Sequence, residues 1–184
     1  MADFEMQDFK AAINIGQVGT GTLEGRITGL TVQEFDGKDF KDSTVIRADS
    51  TWRIKLDWEL AGTALEPGIL ALNGAWVVKA YLEGWGAGAT ETELPGDLGA
   101  NIKLMDHKPD MDGDGNALPE MSRIDNTLAA WLYTETITID PAKTTINEGP
   151  YRLAVTVTYQ KDGVPGPMAG FVEFDKMIQI YKAE

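Results

Sequence analysis

Residues Trp52-Arg53-Ile54-Lys55-Leu56-Asp57-Trp58-Glu59-Leu60 decide the fold class. Apolar side chains occupy every second position, so an extended chain puts Trp52, Ile54, Leu56, Trp58 and Leu60 on one face and the four charged residues on the other. A helix would scatter the same residues around its circumference. Thr51 to Leu60 is therefore read as a strand with one buried face.

Two further stretches repeat the pattern. Trp76, Val78, Ala80 and Leu82 alternate with Val77, Lys79, Tyr81 and Glu83. Leu153, Val155, Val157 and Tyr159 alternate with Arg152, Ala154, Thr156 and Thr158. Weaker strand signals lie at Phe9 to Ile15, Leu23 to Phe35, Thr44 to Ala48, Asn101 to Met105, Trp131 to Asp140 and Phe171 to Tyr181, each bounded by Gly, Pro, Asn or Asp. The pattern predicts about eight or nine strands. Connections such as Gly62 to Gly74, Gly84 to Gly99 and Lys161 to Gly170 carry Pro and Gly, which disfavours helical crossovers and hence a parallel α/β sheet. Only Met121 to Ala130 and Asp3 to Ala12 leave room for a helical turn.

A chain of 184 residues with 43% hydrophobic residues can bury a core as one unit, so residues 1–184 are read as a single domain. Gly16, Gly19 and Gly21 form either a loop within it or a joint, the latter making 1–21 an N-terminal edge strand able to pair with a neighbouring subunit. The net charge of -13 repels phosphate backbones and anionic lipid, which argues against nucleic acid as a partner. No apolar run approaches the roughly 20 residues needed to cross a bilayer. Asp3, Glu5 and Asp8 stand where a secretion signal would need a basic start, which leans toward a cytoplasmic location without fixing one.

Asn147, Gly149, Tyr151 and Leu153 follow the order Asn-x-Gly-x-Tyr-x-Leu at the head of a strong strand. This resembles the tyrosine-corner signature of immunoglobulin-like domains, with Asn in place of Asp and Leu in place of Cys. The resemblance implies that Tyr151 opens strand F and bonds back to the preceding turn. Thr51 to Leu60 then falls as strand B, Trp76 to Glu83 as C, Trp131 to Asp140 as E and Phe171 to Tyr181 as G. The expected fold is an all-β, immunoglobulin-like antiparallel β-sandwich with a long polar loop inserted between Gly99 and Trp131. Both half-cystines of the family are missing, and the resemblance implies no activity.

Within that insertion, Asp110, Asp112, Asp114 and Asn116 have the spacing by which alternate side chains of a loop turn onto one hard cation, with Glu120 or Asp106 to complete the shell. A full EF-hand loop would place Glu at its twelfth position, which here is Met121. The two readings are a helix-free Ca2+ loop and a plain acidic turn. His107 is the sole histidine, there is no cysteine, and no nucleophile or phosphate-binding motif accompanies them.

Two segments suit contact with a partner. The first is the 161–170 connection, either a loop shaped by Pro165 and Pro167 that presents Val164 and Met168 or a long hairpin with rigid turns; the second is Trp85 between Gly84 and Gly86, either tucked under its loop or part of a contact surface. The sequence thus points to a non-enzymatic structural or protein-interaction module, including a self-assembling subunit. The alternative is a calcium-dependent carbohydrate-binding module with aromatic stacking. A carboxylate-based hydrolase is the third reading.

Overall fold

The alternation at 52–60 becomes the central strand of one sheet in the computed structural model, which describes residues 8–14, 20–62, 74–86, 91–94, 102–103, 120–121 and 129–183. Along the chain run β1 (Asp8–Asn14), β2 (Thr20–Phe35), β3 (Phe40–Asp42), β4 (Val45–Arg47), β5 (Trp52–Ala61), β6 (Ala75–Gly84) and β7 (Glu91–Glu93). After these come β8 (Ile102–Lys103), β9 (Glu120–Met121), β10 (Ala129–Ile139), β11 (Gly149–Lys161), β12 (Val164–Glu173) and β13 (Ile178–Tyr181). The described residues are all-β, without a helix.

The first sheet has the order β1-β2-β5-β10-β9, with β3 also on β2. The second has the order β4-β13-β11-β6-β7, with β12 on β11 and β8 on β6. Every pairing is antiparallel except that of β4 with β13, where Val45, Ile46 and Arg47 run parallel to Gln179, Ile180 and Tyr181. The chain passes from the first sheet to the second between β3 and β4, so a pair of strands close in sequence contributes to opposite layers.

Inward side chains of the two sheets meet in one core. Trp52, Ile54, Leu56, Trp58 and Leu60 of β5 pack with Trp76, Val78 and Leu82 of β6 and with Leu153, Val155, Val157 and Tyr159 of β11. Trp58 stacks on Tyr133 at 5.2 Å between ring centroids, and Trp76 meets both edge-on at 6.2 and 6.1 Å. These are the offset and edge-to-face arrangements that aromatic quadrupoles favour.

The weaker signal in β2 has a local cause. Ile27, Leu30 and Val32 all point inward, and the odd spacing is absorbed by a bulge that skips Thr28 between the pairs Ile27↔Trp58 and Gly29↔Asp57.

Two expectations are corrected, and one choice between readings is decided. Phe171 to Tyr181 is not one strand: β12 ends at Glu173, and β13 resumes pairing with β11 at Ile178. Of the two readings of 161–170 the hairpin holds: β11 turns into β12 through Asp162 and Gly163, with φ of 53° and 77°, and Lys161 pairs directly with Val164. Positive φ at both central residues is what a two-residue hairpin turn needs to match strand twist. Both prolines fall in β12, whose outer edge needs no amide donors. Finally, Asp8 to Ala12 lies in β1, paired with β2 at the margin of the first sheet, and is not a helical turn.

Candidate functional site

Among the described residues, the large apolar side chains exposed on the surface are Phe35, Val45, Trp85, Val164, Met177 and Tyr181. Val45, Trp85, Met177 and Tyr181 gather at one end of the second sheet's outer face, and the pairing shows how. The Trp85 amide donates to the Pro150 carbonyl at 2.9 Å, Pro150 is opposite Gln179, and Gln179 is opposite Val45. Trp85, Pro150, Gln179 and Val45 therefore form a row across four chain segments. Tyr181 lies two residues from Gln179 in one direction along the chain, and Met177 two residues in the other.

Each outward position follows from a buried neighbour. Ile46, Ile178 and Ile180 fill the core, which turns Val45, Arg47, Gln179 and Tyr181 out. Trp85 is 57% exposed, and the Arg152 guanidinium sits 4.4 Å from its ring centroid, so the indole is braced by a cation–π contact. An exposed Trp held by an Arg on a rigid sheet is a typical interface anchor.

The sheet edge beside this row is sealed. Val45 and Arg47 turn their amides away from β13, and both are taken: Val45 N–H donates to Ser43 Oγ at 3.1 Å and Arg47 N–H to Glu34 Oε1 at 2.8 Å. The Ser43 hydroxyl in turn donates to the Val45 carbonyl. Strand addition at β4 is thus blocked by side chains, and the accessible surface is the face.

Comparison of the chain with protein-family models, with curated proteins and with solved structures finds no match.

Of the residues singled out from the sequence, Trp85 belongs to the row. Val164 is 66% exposed at the β11–β12 hairpin, with exposed Pro165 beside it. Met168, expected on display, is fully buried in the core: alternation along β12 turns it inward with Val172. Pro167 lies in β12 immediately before Met168. The hairpin and the Trp85 row are separate features. Asp110, Asp112, Asp114 and Asn116 lie outside the described residues, as do Asp106 and His107. Glu120 is placed in β9, opposite Ala130 of β10. Among the described residues, no three Asp, Glu or His side chains converge as a metal site would require.

Other polar groups on the two faces are engaged in the scaffold. Thr134 donates to Asp57 at 2.5 Å, with Lys55 3.5 Å from the same carboxylate. Gln33 donates to Asp42 at 2.8 Å and accepts from Arg53 at 2.7 Å, while Arg53 lies over the Phe40 ring. Glu59 has an outward register, opposite Arg26 and Leu132 across the sheet, yet is fully buried, so at this position the strand is covered on both faces and not on one as its alternation predicts. A cleft of about 310 Å³ opens between Leu30–Val32 of β2, the 42–44 joint and Phe174–Lys176. The neighbouring β2 bulge and the Lys176 charge are features that discourage strand addition there.

Proposed function

We propose that the chain is a non-enzymatic protein-interaction module: an immunoglobulin-like β-sandwich that docks a protein partner on the outer face of its second sheet. The observation that carries the reading is the row Trp85, Pro150, Gln179 and Val45, with Tyr181, Met177 and Arg152 around it. Rigid aromatic and Arg side chains on a strand platform lose little conformational freedom on binding. Clustering matters here, since single exposed apolar residues are ordinary and contiguous ones mark contact surfaces.

The immunoglobulin-like part of the reading rests on strand order. With β2, β5, β10 and β9 taken as A, B, E and D, and β13, β11 and β6 as G, F and C, the neighbours in both sheets follow that family's arrangement. The hydroxyl of Tyr151 donates to the Asn147 carbonyl at 2.8 Å, as a tyrosine corner would. The absence of cysteine and the single histidine in the sequence leave few groups for nucleophilic or thiolate chemistry, which favours a binding role.

The test is site-specific photocrosslinking in the source cells with benzoylphenylalanine replacing Tyr181. Discrete adducts are expected, and Val45→Glu should abolish them while leaving the melting temperature unchanged. Adducts no stronger than those from the same probe at Thr136, which is exposed on the opposite sheet, would overturn the reading.

A further inference from the structure

We infer that the partner on this face is a second copy of the same chain, paired face to face about a two-fold axis lying along the row Trp85-Pro150-Gln179-Val45; this rests on the docking reading above. A two-fold interface requires a surface that complements itself. For an axis along the row, residues on the row meet their own copies, and residues displaced along a strand in one direction meet those displaced equally in the other.

That operation joins chemically matched partners. On the β11 line, Arg152 stands two residues beyond Pro150 and Glu148, held by Lys182 at 3.6 Å, two residues before it, so each Arg152 meets the other copy's Glu148–Lys182 pair. On the β13 line, Met177 and Tyr181 stand two residues either side of Gln179, so a thioether meets an aromatic ring twice over. On the axis itself, Gln179 meets Gln179, whose amides can both donate and accept, and the apolar Val45 and Trp85 meet their equals. Two copies carrying -13 each repel at long range, so self-pairing should tighten as salt screens that repulsion, whereas an oppositely charged partner would be lost.

The chain has no cysteine, so one introduced thiol reports a single position. Gln179→Cys is expected to form an intermolecular disulfide under mild oxidation about tenfold or more faster than Thr138→Cys on the opposite sheet. Light scattering should give twice the 20.0 kDa chain mass for the wild type, with dissociation falling as salt rises. Arg152→Glu and Glu148→Arg should each weaken the dimer by about 30-fold, and the double reversal should restore it. A monomer at all concentrations and salt levels, equal oxidation rates at the two thiols, or failure of the double reversal to rescue would each overturn the inference. A monomeric chain that still crosslinks from position 181 to a protein of another mass overturns self-pairing and leaves the docking reading intact; no adduct of any kind ends both.

Discussion

The Glu34 carboxylate of β2 accepts the backbone amide of Arg47 on β4 at 2.8 Å, so a side chain from the first sheet closes the edge of the second. Ser43 does the same for Val45 from within the joint that links β3 to β4. An edge strand with free amides invites another chain. Removing the caps by Glu34→Ala and Ser43→Ala should cost about 1 kcal/mol each, the net value of a typical hydrogen bond. The double variant should also gain scattering with time below its melting transition. Loss of stability without association would show that the caps hold the joint together but do not guard the edge.

Tyr151→Phe tests the corner that ties the head of β11 to the turn before it. The ring is largely buried and its hydroxyl donates to Asn147, four residues upstream. Phe keeps the packing and removes only the bond. The expected loss is about 1 kcal/mol, or roughly 2–4 °C in melting temperature for a chain of this size. Asn147→Ala should change little by comparison, because the acceptor is the backbone carbonyl and survives the substitution.

How far the structure can be read from the sequence depends on where each contact comes from. β5, β6 and β11 are legible because each keeps an unbroken alternating apolar face toward the core, so Trp52 to Leu60 announces itself. β2 is faint because the skipped Thr28 shifts its alternation halfway along. The β11–β12 hairpin is legible in Asp162-Gly163, a dipeptide suited to two positive φ values, while Pro165 and Pro167 keep a loop open as the other reading. The Trp85 row could not be foreseen as a unit. Its members come from β4, β11, β13 and the residue after β6, and only the sheet order makes them neighbours. The Glu34–Arg47 cap is hidden for the same reason.

Tyr159 provides a third test, since its ring lies between two glycines. A Cβ at Gly74, just before β6, or at Gly166, in β12, would overlap ring atoms of Tyr159. The ring has little freedom to yield, because it meets Trp76 edge-on at 6.3 Å inside the core. Gly166→Ala should therefore destabilise by about 1–3 kcal/mol through overpacking. The double variant Gly166→Ala, Tyr159→Leu should lose less than the sum of its parts, which thermal or urea unfolding would detect as a coupling energy. Strict additivity would mean that the glycine serves the backbone and leaves the ring indifferent.

Alkaline pH provides the fourth. Burial pushes the Tyr133 phenol well above its ordinary value of 10.0, and burial also raises Tyr151 and Tyr159, the latter with help from the nearby Asp162 charge. The folded state holds these phenols neutral, while an unfolded chain releases their protons near pH 10. Above that point the unfolded state binds fewer protons than the folded one, so stability must fall as pH rises. Below about pH 10 their contribution is complete and flat. The phenolate absorbance of Tyr133 should thus appear only together with the loss of the β-sheet circular dichroism signal. Tyr133→Phe, judged against its own stability at neutral pH, should show a shallower alkaline decline. Ionisation of Tyr133 in a chain that still gives a full sheet signal would mean that water reaches the phenol between Trp58 and Trp76 without unfolding.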